Sequence, residues 1–191
     1  MSKKSILFLL FSLSLVFQGC DSKKEQNSNE QTKQANSMVS KNEFTLTTLK
    51  NEKLIVTKET QGFKLSQFDG KVVIFDIFAT WCPPCRAAAT HLSSLQEKYK
   101  DDLVVIGISI EDNIPNEKLQ DFKEQYNANY TLVNSAQNRK LANAIVGELK
   151  LGERFPIPIM ALYKDGKYIN HYIGAVQEEF IESDIKKALG K

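Results

Sequence analysis

Hydrophobic and polar positions divide the chain into three stretches. Ile6 to Phe17 is apolar except for serines, Asp21 to about Lys41 is almost wholly polar, and beyond it apolar residues return in short runs between turn residues. In that last stretch Phe44 to Leu49, Leu54 to Thr57 and Phe63 to Leu65 read as short strands, separated by turns at Lys50-Asn51-Glu52 and around Gly62. Asp69-Gly70 then leads into Val72 to Phe78, a nearly unbroken β-branched and aromatic run of the kind buried on both faces of a sheet. One acid, Asp76, interrupts it. Arg86 to Tyr99 reads as a helix with Leu92, Leu95 and Tyr99 on its inner stripe, closed by Asp101-Asp102. Leu103 to Ile110 is a second apolar strand. Leu119, Phe122 and Tyr126 give Asn116 to Tyr126 a helical period, and a short strand at Thr131 to Val133 and a helix around Arg139 to Ile145 follow. This alternation predicts parallel strands joined by right-handed crossovers. The pattern then changes: Ile159 to Tyr163, a Lys164-Asp165-Gly166 turn and Tyr168 to Ile173 predict an antiparallel hairpin, and Glu178 to Leu189 a final helix. The fold class is α/β, a central mixed sheet flanked by helices, with extra strands at the N-terminal side.

The first two stretches set the address. Lys3 and Lys4 precede an apolar core too short to span a bilayer comfortably and of the length found in signal peptides. It ends at Gly19-Cys20, which resembles the bacterial lipobox, whose cysteine carries lipid and becomes the mature N-terminus. Phe17 and Gln18 depart from the usual box, so an uncleaved anchor and a secreted protein stay open beside the lipoprotein. Each reading puts the domain outside the cytoplasm, on the periplasmic side of a bacterial membrane, where disulfides persist. Residues 21–42 cannot bury enough surface to offset their ordering entropy and are expected to form a disordered tether. Residues 43–191 form the domain, long enough to bury about two thirds of its unfolded surface. With 191 residues, 42% hydrophobic and 25% charged, and a net charge of +2, the chain is of ordinary composition. It carries no basic stripe of the kind nucleic acid requires.

The chemistry lies in Trp81-Cys82-Pro83-Pro84-Cys85, directly after the central strand. At the start of a helix the free N–H groups and the dipole favour a thiolate, the form that attacks disulfides. Cys82 is therefore the expected nucleophile. Two intervening residues bring Cys85 within bonding distance, where it can close a disulfide and release whatever Cys82 holds. Proline suits the first helical turn, because the N–H it lacks would have no partner there and its φ is already helical. Half of a zinc site is the competing reading and needs two or more further ligands; Cys20, His91 and His171 are the only other cysteine and histidines. His91 and His171 read as surface residues, Arg86 as a solvated cation or a support for the thiolate, and Trp81 as an aromatic that shapes the site.

A strand, this CxxC, a helix, a strand and a helix, then Ile157-Pro158 opening a hairpin with Lys-Asp-Gly, resemble the thioredoxin fold. The N-terminal strands and lipoprotein start are similar to the TlpA/ResA-like extracytoplasmic thiol-disulfide oxidoreductases, over about residues 43 to 190. The resemblance implies a cis Ile157-Pro158 bond lying against the cysteines, with Pro156 the other candidate and a trans proline still open. A cis peptide there puts the Ile157 backbone at the site edge, where a client can pair as an added strand. Trp81, Pro83, Pro84, Ile157 and Pro158 are the implied client-binding residues. Ala88 stands where many TlpA-like chains have a glutamate and Thr90 where many have a helix-kinking proline, which predicts a straighter helix. Asp76 stands where cytoplasmic thioredoxins carry an aspartate. With Cys82 and Cys85 it completes the expected catalytic set, as the acceptor of the Cys85 proton; an edge position or a solvated strand end is the alternative for it.

The resemblance implies a reductase of disulfides in extracytoplasmic clients, apocytochrome c among them, acting as a monomer re-reduced by a membrane thiol protein, without metal or cofactor. The same chemistry reversed gives an oxidase or isomerase. Potentials of such pairs run from about −270 to about −120 mV, a span of roughly 7 kcal/mol, and the reducing direction rests on the resemblance. Paired thiolates also suit Cu(I). Copper-delivery proteins of this fold are expected to have three residues between the cysteines and a late histidine, whereas here the spacing is two. A peroxidase would need its cysteine in a different local motif.

Overall fold

The computed structural model describes residues 42–191. The predicted signal peptide, the expected lipidation site Cys20 and, but for Asn42, the predicted tether lie outside that range. The described elements are β1 (Glu43–Thr47), β2 (Lys53–Glu59), β3 (Gly62–Leu65), a 3-10 turn (Ser66–Phe68), β4 (Val72–Phe78), α1 (Pro83–Lys98), β5 (Leu103–Ser109), α2 (Asn116–Gln125), β6 (Thr131–Val133), α3 (Asn138–Glu148), β7 (Ile159–Lys164), β8 (Lys167–Ile173) and α4 (Glu178–Leu189).

Five strands form the main sheet in the order β6-β5-β4-β7-β8. β4, the uninterrupted apolar run, is at its centre with all seven residues buried. It pairs in parallel with β5 and antiparallel with β7, as expected of strands that follow a helical crossover on one side and open a hairpin on the other. The fold is the expected thioredoxin-like mixed sheet. The extra strands do not extend it; they make their own antiparallel sheet, β1-β2-β3.

Alternation along β4 separates two cores. Val73, Phe75 and Ile77 face Phe44, Leu46, Val56 and Phe63 of the small sheet and Leu141 and Ile145 of α3. Val72, Ile74 and Phe78 face Ala88, Leu92 and Leu95 of α1, Phe122 of α2 and Ile181 of α4. Asp76 shares this second face by its parity.

Two boundaries differ from the sequence reading for local reasons. The first strand stops at Thr47, not Leu49, because the Thr48 Oγ1 accepts the N–H groups of Lys50 at 3.2 Å and Glu52 at 3.1 Å and folds the chain into a turn with Asn51 at φ 64°. The active-site helix begins at Pro83 rather than Arg86, with Cys82 as its N-cap. Both prolines therefore lie inside the first turn.

Candidate active site

β4 delivers the chain at Phe78 to a tight turn in which the Cys82 N–H donates to the Ala79 carbonyl at 3.2 Å. Cys82 is extended, and its Sγ accepts the N–H of Cys85 at 3.3 Å. A capping sulfur thus takes a donor that the helix end leaves free. Cys82 and Cys85 are joined by a disulfide. Both are hidden, Cys82 3% and Cys85 1% exposed. Trp81 accounts for the open side of the site, being 62% exposed, with Pro83 and Pro84 also on the surface.

The second wall comes from the far end of the chain. The Ile157-Pro158 bond is cis, so Pro158 rather than Pro156 has that geometry. The Ile157 carbonyl oxygen is 3.7 Å from Cys82 Sγ. The Pro158 carbonyl is tied back by the Gly174 N–H at 2.9 Å, while the Ile157 N–H has no backbone partner among the described residues. A backbone donor is thus left beside the sulfurs.

Asp76 is neither at a sheet edge nor at a solvated end. It sits in the middle strand between Gly107 of β5 and Met160 of β7, fully buried, and accepts the Tyr130 hydroxyl on Oδ2 at 2.8 Å. Its Oδ1 has no partner among the described residues. Burial raises its pKa from 3.8 to about 7, against the opposing pull of the Tyr130 hydrogen bond. A carboxyl that exchanges its proton near neutrality is suited to general base chemistry.

Arg86 is half-buried rather than freely solvated. Its Nε donates to the Thr80 carbonyl at 3.1 Å and its guanidinium stacks on Tyr126 at 4.9 Å. Glu111, just past β5, accepts the Thr80 N–H at 2.6 Å and the Thr80 hydroxyl at 3.1 Å. Arg86 and Glu111 hold the turn that presents Trp81 and Cys82. The same residues with Ile114 line a groove of about 470 Å³ beside Trp81. His91 is half-buried rather than free on the surface, its Nδ1 2.9 Å from the Val176 carbonyl. His171 pairs with the Tyr168 hydroxyl at 2.7 Å in the hairpin. Both histidines are engaged away from the disulfide.

The redoxin family model matches residues 34–189. The chain belongs to the redoxin family. This redoxin is 27% identical over 147 residues to the thiol-disulfide oxidoreductase ResA of Bacillus thuringiensis (strain Al Hakam), covering 71% of this chain and 80% of the relative. The ResA of Bacillus anthracis matches with the same identity and coverage. Among solved structures, a thiol:disulfide interchange protein of the thioredoxin family from Chlorobium tepidum superposes with a TM-score of 0.62 at 20% identity, covering 78% of this chain and 94% of that one. The redoxin is a thiol-disulfide oxidoreductase with a thioredoxin fold, and the Cys82–Cys85 disulfide is the redox pair its architecture presents.

Two residues of this site escaped the sequence reading. Tyr130 lies one place before β6, and only the lateral register of β4, β5 and β6 brings it to Asp76. Glu111 follows an apolar strand as an ordinary polar stop. Its signal was faint: an acid at the end of β5, the strand that lies beside β4, could reach the turn that β4 opens.

Proposed function

We propose that this redoxin is a membrane-tethered reductase of disulfides in extracytoplasmic proteins, apocytochrome c among the candidate clients, working as a monomer through a Cys82/Cys85 dithiol–disulfide cycle. The observation that carries the reading is a disulfide at the first turn of α1, with the Ile157 carbonyl oxygen 3.7 Å from Cys82 Sγ. The signal-peptide and lipobox pattern ending at Cys20 supports the location, with the domain on the periplasmic side and lipid on Cys20. No described helix is long and apolar enough to cross a membrane.

In the reduced protein the Cys85 N–H and the start of α1 favour the Cys82 thiolate. That thiolate attacks a client disulfide, releasing one client thiolate and forming a Cys82–client mixed disulfide. The client backbone lies along Ile157 as an added strand, with Trp81, Pro83, Pro84 and Pro158 as its apolar bed. Cys85 gives its proton to Asp76 and attacks Cys82 Sγ, which closes the Cys82–Cys85 disulfide and expels the second client thiolate. Two electrons have then passed to the client, and a membrane thiol protein restores the dithiol.

Equilibration of the Cys82/Cys85 pair in defined thiol–disulfide buffers, read by thiol alkylation, tests the direction. A potential near that of thioredoxin, about −270 mV, fits a reductase. A value near −120 mV, about that of the oxidant DsbA, would turn the assignment to an oxidase.

A further inference from the structure

Asp76, Gly107 and Leu132 form one row across β4, β5 and β6. A Cβ on Gly107 would stand 2.5 Å from Leu132 Cδ2, 3.0 Å from the Tyr130 ring and 3.3 Å from Phe78 Cε1. Such approaches are closer than a side chain permits without displacement. The bare backbone at Gly107 is thus what lets the Tyr130 phenol, which starts beside β6, pass over β5 and reach the carboxylate on β4. Its hydroxyl has one proton and donates it to Asp76 Oδ2 at 2.8 Å. Oδ1, buried and without a partner among the described residues, is left with its accepting capacity unused. Cys82, Cys85 and Tyr130 belong to one buried cluster. An orphaned carboxylate oxygen in such a cluster calls for a functional explanation.

We propose that Tyr130 is a positioning residue for the resolving step: it occupies Oδ2 of Asp76, leaving Oδ1 as the oxygen that takes the proton of Cys85, and Gly107 is the position that admits it. The inference rests on the reading of Asp76 as the proton acceptor. The Cys85 S–H bond breaks and the proton passes to Oδ1. The Cys85 thiolate then forms the bond to Cys82 Sγ as the Cys82–client bond breaks, and the client thiolate is protonated by water.

The titratable neighbours on the packing helices are Tyr99 and Tyr126, at the ends of α1 and α2; Tyr99 donates to Glu182 of α4 at 2.6 Å, and the buried Ser93 of α1 donates to the Asn127 carbonyl at 2.6 Å. Tyr130 is the one titratable side chain that shifts Asp76 in the oxidised protein, and it acts to keep the carboxyl charged. In the reduced protein Cys85 is the other group in play.

The test uses the reduced protein with ¹³C-labelled aspartate, wild type and Tyr130→Phe, with the Asp76 carboxyl titrated by NMR. Resolution of a Cys82 mixed disulfide with a model client is followed by stopped flow over the same pH range. Loss of a hydrogen bond to a charged group should raise the Asp76 midpoint by about one to two pH units. Less carboxylate is then present at pH 7, and resolution there should slow by up to roughly ten-fold for each pH unit the midpoint rises. Attack by Cys82 should be unaffected. Gly107→Ala, by pushing the ring aside, should move both midpoints in the same direction, and combining it with Tyr130→Phe should add little. Parallel movement of the NMR and kinetic midpoints supports the proposal. An unmoved Asp76 midpoint in Tyr130→Phe overturns it. A moved NMR midpoint with an unmoved rate profile overturns instead the underlying reading of Asp76, and the proposal with it.

Discussion

Asp76 makes the stability of the oxidised protein depend on pH. Its carboxyl holds a proton up to about pH 7 in the folded, oxidised protein, because burial disfavours the anion, and only to 3.8 in the unfolded chain. The folded state therefore binds the proton more tightly, and the contribution to stability is whole below pH 3.8. It falls as pH rises between the two values and stays low above about 7. The interval is roughly three pH units, which at ~1.4 kcal/mol each comes to about 4 kcal/mol. Asp76→Asn removes the titration while keeping an oxygen that can accept the Tyr130 hydroxyl. The new amide protons lack a partner, a penalty of about 1 to 3 kcal/mol that does not vary with pH. Hence the slope carries the test and the offset does not. Urea unfolding of both oxidised proteins from pH 4 to 8 should show the variant gaining on the wild type by ~1.4 kcal/mol per pH unit, levelling off near neutrality. Other carboxylates cancel in the difference. A constant difference across that range would mean that Asp76 titrates near 3.8 in the folded protein, and the case for it as a base near neutrality would fail.

Cys85→Ser should accumulate mixed disulfides with clients while Cys82→Ser does not, as seen by non-reducing gels after acid quench; the opposite pattern would exchange the two roles. Gly62→Ala should lower stability by roughly 1 to 3 kcal/mol, because at φ 150° its Cβ would come within 2.7 Å of the Tyr163 ring and 2.9 Å of the Gly166 carbonyl oxygen. An unchanged urea midpoint would mean that β3 and the β7–β8 turn separate freely. Cys20→Ser should release the protein from the membrane fraction. A variant that still sediments with membranes would make the apolar segment itself the anchor.

Patterns that depend on neighbours along the chain were legible in the sequence. The seven-residue run of β4, the CxxC after it and the Asp-Gly hairpin turn each announce themselves within a few residues, and each stands where expected. The prolines suit a first helical turn in sequence as in the structure; what the apolar period of α1 leaves open is the start itself, since it begins only after Cys85 and the Cys82 N-cap shows in no periodicity. Lateral relations were not legible. Nothing in Phe44 to Leu65 says whether those strands extend the central sheet or cover its face, since alternating burial is the same in both cases. The Asp76–Tyr130 pair is hidden for the same reason: it spans three strands, and its enabling residue is a glycine inside β5, where sequence alone suggests only a weak point.

That lateral row also bears on the absence of a helix acid. Many TlpA-like chains are expected to carry a glutamate at the position of Ala88, one turn past Cys85 on α1. Here Ala88 is buried and packs in the same cluster as the cysteines and Tyr130. A carboxyl added there would put a second buried acid on the face of the sheet that carries Asp76, and two acids close together in one apolar core resist ionising together. One of them would stay protonated through neutral pH and offer no base. With the acid on β4 the requirement is different: it needs a donor to keep it from titrating too high, and Tyr130 supplies one at 2.8 Å. Small alanines at 88 and 89 then let α1 lie close against the sheet at β5, the strand beside the one that carries Asp76. Among the described residues the chain therefore places its single buried acid in the sheet, an arrangement in which Ala88, Gly107 and Tyr130 have to be chosen together.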